Sequence, residues 1–343
     1  MGKRRKWLTL VASLSALSLV AAACGGDDDD GGGATGETSE EVTGSLNISG
    51  SSTVEPITSL VAEKFIGQNP GVDVAVDGPG TSDGFELFCN GETDISDASR
   101  PIEEEEVTAC EESGITPIEI EVALDALSVV VNPANPMECV SLQDLYALLG
   151  PESEGFGTWS DADALATEVG GNGGFPDMPL TIVAPGEESG TYGSFIDLVG
   201  TEDIALEQGV SEDAAGGLRP DYQISADDNV IIQNAADTEG GLGFVGFSFA
   251  EQAGDSVKEL QVDGGEGCVE PSPETVIDGS YPLGRSLFIY VNATKLEENP
   301  ALGPFVDFYL SDEGIASVEE VLYVPLPADR LEAARSAWET ASA

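Results

Sequence analysis

The sequence predicts an α/β protein in which strands and helices alternate. Three observations carry that prediction. Along the chain, apolar residues switch repeatedly between a period of two and a helical period. Loops rich in Gly, Ser, Thr and Pro separate the periodic segments. With 343 residues, 41% of them hydrophobic and 22% charged, the chain can bury a sizeable core, and its length suggests two domains.

Residues 1–23 read as a signal peptide. The basic run Lys3, Arg4, Arg5, Lys6 precedes an apolar stretch from Trp7 to Val20 and the small residues Ala21, Ala22 and Ala23. Such a stretch is too short for a spanning helix and ends in a cleavage-like site. The residues before Cys24 resemble a bacterial lipobox, with Ala21 where Leu is commonest. That resemblance implies that Cys24 is lipidated and becomes the first mature residue. Residues 24–44 then form an acidic tether of Gly, Asp, Thr and Glu, which bury too little surface to offset chain entropy. Asp27 to Asp30 read as a solvated charge run, since no EF-hand spacing follows.

The folded part begins with the alternation of Leu46 and Ile48, broken by Gly50-Ser51-Ser52-Thr53. From Pro56, the spacing of Ile57, Leu60, Val61 and Phe65 predicts a helix that Asn69-Pro70-Gly71 stops. Val72, Val74 and Val76 alternate as a strand. The loop from Gly78 to Gly84 leads into a helix containing Phe85 and Phe88. A third loop, Asp94 to Pro101, precedes an acidic helix over 102–113, with Gly114 as its cap. Ile118 to Val131 is extended, and Ser141 with Asp144 caps a helix through Leu149. Leu180 to Val183 reads as a strand, followed by Gly186-Glu187-Glu188-Ser189-Gly190-Thr191 and a helix to Val199. Residues 241–249 and 286–291 read as buried strands, and helices near 301–320 and 327–341 close the chain.

Charge and composition exclude several functions. The sequence holds 64 Asp and Glu against 12 Lys and Arg, and no histidine. Without the signal only eight basic residues remain, so there is no basic footprint for nucleic acid. Ser-His-Asp triads, Cys-His dyads and histidine-ligated metal sites are impossible. Beyond the N-terminal region no stretch of about 18 apolar residues exists that could span a membrane. Cys89, Cys110, Cys139 and Cys268 form an even set in an exported chain and read as two disulfides with three pairings open. There is no C-x-x-C pair, and neither a metal site nor a cofactor is predicted.

Three loops share one chemistry. GSST (50–53), GPGTSDG (78–84) and ESGT (188–191) each stand between a strand and a helix. The first turn of a helix offers unpaired N–H groups and a partial positive charge. Glycine lets a ligand approach closely and Ser or Thr adds a hydroxyl donor, so such loops bind anions without net positive charge. The chain has no G-x-x-x-x-G-K-[ST], and GPGTSDG does not fit the dinucleotide fingerprint.

Six segments in order carry a family resemblance: ISGSSTVEPI (48–57), DGPGTSDGFELFCNGETDISDASRPI (77–102), APGEESGTYGSF (184–195), ISADDNV (224–230), GLGFVGF (241–247) and YPLGRSLFIYVN (281–292). Together they resemble bacterial phosphate-binding lipoproteins of the PstS and SphX type, the external receptors of a phosphate ABC importer. The resemblance implies a two-lobed periplasmic-binding-protein-like fold (type II) with the ligand cleft between lobes. Lobe I would comprise 45–124 and 276–343, and lobe II 125–275. It also implies inorganic phosphate as ligand, a membrane permease as partner, a monomer, and a lipid anchor on the outer face of the cell membrane. Carried over, phosphate contacts fall on Ser52, Thr53, Thr81, Ser82, Ser99, Arg100, Ser189, Gly190 and Thr191. Ser99 stands where the better-known branch has an Asp, and Pro185 where it has an Arg.

Arg100 is the expected charge partner, because a guanidinium makes bidentate contacts to phosphate and this one follows an anion loop. Arg219 is a second candidate, and Arg285 reads as structural. The expected disulfides are Cys89–Cys110, closing a short loop between two helices, and Cys139–Cys268, within one lobe of that map. The rival ligands are other oxyanions such as sulfate or molybdate. The rival class is a phosphate-ester hydrolase, which would need Asp-held metals.

Overall fold

The computed structural model describes residues 42–342 apart from Glu188. The signal, Cys24 and the tether up to residue 41 lie outside the described residues. Strand β1 (Thr43–Gly50) takes in the last two residues of the expected tether. It pairs in parallel with β2 (Gly71–Asp77) on one side and β3 (Ile95–Ala98) on the other. Helix α1 (Glu55–Gln68) joins β1 to β2 and buries Ile57, Val61, Ala62 and Phe65. Pro56 costs it no bond, because first-turn N–H groups have no helical partner. Helix α2 (Thr81–Cys89) buries Phe85 and Phe88. Helix α3 (Glu104–Glu112) starts with a reciprocal cap between Glu103 and Glu106, and Cys110 on it is bonded to Cys89.

Strand β4 (Pro117–Val131), with 15 residues, is the longest strand among the described residues. After it come β5 (Cys139–Ser141), α4 (Leu142–Leu149), α5 (Asp163–Glu168), β6 (Thr181–Ala184) and α6 (Gly190–Val199). The remaining strands are β7 (Gln223–Ile224), β8 (Gly241–Gly246), β9 (Lys258–Glu259), β10 (Gln261–Asp263), β11 (Cys268–Val269) and β12 (Gly284–Asn292). The main sheet has the order β2-β1-β3-β12-β4-β8-β6-β7, with β9 on the far end of β4. The first part of β4 lies antiparallel to β12, and its last five residues, Leu127 to Val131, pair with β8. A small sheet, β11-β10-β5, includes Cys139 and Cys268, which are bonded to each other.

Two large cores lie along the sheet. One gathers Leu46, Ile57, Phe65, Ile120, Leu287, Phe305 and Trp338. The other gathers Leu127, Leu145, Tyr146, Trp159, Phe195 and Phe244. On β4 the change of core falls between Ala123 and Leu124. Val276, Tyr281 and Leu283 pack with the second core, and Leu287 with the first. Each large side chain removed from water in these cores contributes about 1.5–3 kcal/mol.

Two expected elements differ. The strand over 241–249 ends at Gly246, and Phe247–Ala253 is helical, with Phe247 and Ala250 buried three apart. A short apolar run has no period of its own to separate strand from helix. The helix over 301–320 is two helices, Leu302–Tyr309 and Asp312–Glu320. The Ser311 hydroxyl accepts from the Gly314 N–H and restarts the second one.

Candidate anion-binding site

The first three loops sit at the carboxyl ends of β1, β2 and β3, where open α/β sheets form ligand crevices. Their packing requires glycine. A Cβ on Gly50, whose φ is +150°, would lie 2.0 Å from the Asp97 carbonyl oxygen. A Cβ on Gly84 would lie 2.4 Å from the Gly50 Cα. The loops are also tied by backbone bonds: Ser51 N–H donates to the Asp97 carbonyl (2.8 Å), and Gly80 N–H to the Gly50 carbonyl (2.9 Å). Thr81 Oγ1 and Ser99 Oγ lie 3.0 Å apart, and the Ser99 N–H donates to Thr81 Oγ1.

Together these loops form one wall of a cavity of about 790 Å³. Ser52, Thr53, Thr81, Ser82, Ser99 and Arg100 all line it, six of the nine contacts expected. Gly193, Ile196 and Asp197 of α6, with Glu202 and Asp203 beyond it, also line the cavity. The start of α6 lies to one side. Ser189 caps that helix by accepting from the Thr191 N–H, and Ser189 and Gly190 line a smaller cavity of about 360 Å³. The two cavities share Ser52 and Gly193, while Thr191 lines neither.

Arg100, the expected charge partner, lines the large cavity but is already paired. It forms two bonds to Glu106, at 2.7 and 2.9 Å, with Glu103 at 3.3 Å. Its guanidinium also donates to Ser82 Oγ (3.1 Å) and lies 5.6 Å from the Phe85 ring centre. The bond to Glu106 raises the Arg100 pKa further. Arg219 stands apart from both cavities. It is 4% exposed, bonded to both oxygens of Asp221 and to the Phe156 carbonyl, and it holds the Asp221 carboxyl down at about 2.

Arg285, read from the sequence as structural, is ion-paired within the fold and also lines the large cavity. It does so from β12, directly across from Asp125 of β4. Its Nε donates to Asp125 (3.3 Å), Nη1 to Asp197 (3.0 Å), and Nη2 to the hydroxyls of Thr53 (3.1 Å) and Ser194 (3.0 Å). The available signal was scarcity: with eight cations after the signal, any arginine beside a glycine at a strand start merits weight. Beneath the GSST loop lies Asp97, fully buried, accepting from the Thr58 hydroxyl at 3.0 Å with its other oxygen unpaired. Burial, with Glu55 nearby, pushes its carboxyl up to about 8, against the smaller opposing effect of the Thr58 bond.

Hydroxyls, helix starts and two guanidiniums around one crevice define a protein built to hold an oxyanion. The chain belongs to the PBP superfamily, whose domain model matches residues 35–313. It is 40% identical over 292 residues to Protein SphX of Synechocystis sp., covering 84% of this chain and 81% of that protein. It is 34% identical over 286 residues to the phosphate-binding protein PstS of Staphylococcus saprophyticus, covering 83% and 81%. Among solved structures it superposes on a possible phosphate binding protein from Planctomyces limnophilus, with a TM-score of 0.78 at 34% identity, covering 88% of this chain and 99% of that one. An ABC-type phosphate transport receptor from Vibrio cholerae matches with a TM-score of 0.57 at 25% identity, over 82% and 100%.

Proposed function

We propose that this chain is an exported, lipid-anchored receptor that captures inorganic phosphate for the membrane permease of an ABC importer. One observation carries the reading: hydroxyl-rich loops from three neighbouring strand ends converge on a single cavity that also holds two guanidiniums. The relatives named as phosphate-binding proteins support the choice of anion. The protein acts as a binding protein and not as an enzyme.

In this reading Ser52, Thr53, Thr81, Ser82, Ser99 and Arg100 hold the anion from lobe I. Ser189, Gly190 and Thr191, off the large cavity in this structure, would reach the anion from lobe II at the start of α6 when the cleft closes. Lobe II is about 124–283 and lobe I most of the rest; core membership supports this division, except that Leu326 packs with the second core. Arg219 is left out, because it lines neither cavity and its Nε and Nη2 are engaged by Asp221 and Phe156. Cys24 carries the lipid, and the receptor works as a monomer. The acidic surface does not oppose capture, because charges beyond about 8 Å are largely screened at physiological salt.

Calorimetric titration of the mature chain with phosphate, arsenate, sulfate and molybdate tests the function. Saturable binding of one phosphate per chain, with no heat from sulfate at the same concentration, is the expected result. Binding of sulfate or molybdate without phosphate would move the reading to another oxyanion. Turnover of phosphate esters would replace the receptor with a hydrolase. Mass spectrometry of the N-terminal peptide from membranes checks the lipid on Cys24.

A further inference from the structure

We propose that Arg285 is a second guanidinium of the oxyanion site, and that Asp197 is its resident counter-ion, which the bound anion replaces. This rests on the reading of the cavity as a phosphate site.

Arg285 is held in place from behind. It faces Asp125 across the β12–β4 pair, and Asp125, only 4% exposed, also accepts from the Ser194 hydroxyl at 2.7 Å. That carboxylate fixes the Nε edge without closing the other edge. The Nη2 group already reaches the Thr53 hydroxyl, which belongs to the GSST loop and lines the cavity. An anion in reach of Thr53 is therefore close to the same end of the guanidinium.

The remaining partner is the exchangeable one. Asp197 bonds Nη1 from α6, lines the cavity, and its side chain is 56% exposed. An ion pair so exposed is weak, because water and salt compete with it. A phosphate oxygen in its place would make charge-assisted bonds inside the crevice. Arg100 offers no such exchange. Its fork is taken by Glu106, whose side chain is 17% exposed and which also accepts the Glu103 N–H in capping α3. The exposed partner of Arg100, Glu103, sits at Nε (3.3 Å), while Glu106 holds both its Nη groups. Of the two guanidiniums on the cavity, Arg285 alone gives an Nη group to an exposed carboxylate that an incoming anion can replace.

The test compares two charge removals on one wall. Asp203 also lines the cavity but forms no ion pair among the described residues. Phosphate titration by calorimetry is run on the native protein, Asp197→Asn and Asp203→Asn. Asp197→Asn should tighten binding by about threefold or more relative to Asp203→Asn, because it frees a guanidinium as well as removing a charge. Arg285→Lys should weaken binding by about tenfold or more, since a point charge cannot serve Asp125, Thr53 and the anion together. Equal effects of the two Asn variants, or unchanged or weaker binding in Asp197→Asn, overturn the proposal even if Arg285→Lys fails to fold. Absence of phosphate binding in the native protein overturns the parent reading and this one together. Native binding with an unresponsive Asp197→Asn overturns this one alone.

Discussion

At the scale of single residues, the chemistry lies in which donors are already engaged. The sequence placed Arg100 beside an anion loop, and it does line the cavity. Arg219 and Arg285 could not be sorted that way, because their partners come from strand register and from packing across the fold. Asp97 was invisible for the same reason: an Asp in a polar stretch gives no sign of full burial. It now supports a pH prediction. The folded carboxyl keeps its proton to about pH 8, whereas an unfolded Asp loses it near 4. Between these values the unfolded chain binds fewer protons, so this group's contribution to stability falls as pH rises and levels off above 8. The limiting slope is about 1.4 kcal/mol per pH unit. Asp97→Asn cannot ionise and keeps an oxygen for the Thr58 hydroxyl. Urea unfolding at pH 5, 6.5 and 8 should show the variant gaining on the native protein as pH rises. Parallel pH profiles would mean that Asp97 titrates alike in both states.

At the scale of elements, the readings that succeeded rest on strong local signals. The Ser141 and Asp144 reciprocal cap is formed, and the alternating valines are β2. The readings that failed concern short apolar runs and breaks inside longer ones, as at Gly246 and Ser311. The pairing of β5 with β10 had no signal either, since it joins segments more than a hundred residues apart. What the glycines of the anion loops do became visible only in contact. Gly84 lies in α2, where the helix alone would favour Ala by about 1 kcal/mol. Yet its missing Cβ is where the Gly50 Cα comes closest, with the Ser49 carbonyl and the Ser96 hydroxyl 3.0 Å from the same point. Gly84→Ala should therefore destabilise by about 1–3 kcal/mol, the usual cost of overpacking, against its helical gain. It should also weaken phosphate binding, because α2 carries Thr81 and cannot move without it. Gly303→Ala, in another helix with nothing within 4 Å of the added carbon, is the matched control and should be neutral or stabilising. Equal stability changes in the two variants would show that the loop contact yields freely.

At the scale of the whole molecule, the arrangement of cores and crosslinks bears on how the cleft works. Strand β4 enters both cores and pairs with β12, which follows Leu283 of the second core and carries Leu287 of the first. Near the C-terminus Leu326 joins the second core and Leu331 packs against both. Rotation about a crossing such as that of β4 and β12 is how two-lobed receptors close on a ligand. Each disulfide lies on one side of it. Cys89 and Cys110 pack with Phe85, Phe88 and Tyr290. Cys139 and Cys268 belong to the small sheet whose Val140 and Val262 enter the second core. A bridge within one body stabilises that body, typically by about 2–4 kcal/mol, without restraining its motion against the other. Ligand contributes separately, adding about 2.7 kcal/mol when free phosphate is a hundredfold above Kd. These two effects should therefore add. Thermal or urea unfolding is measured oxidised and reduced, each with and without phosphate. Reduction should lower stability in both columns, while the increment from phosphate stays the same within about 0.5 kcal/mol, the usual limit for independent sites. Loss of that increment on reduction would mean that a disulfide shapes the closed cleft itself. The division into two bodies at the β4–β12 crossing would then be wrong.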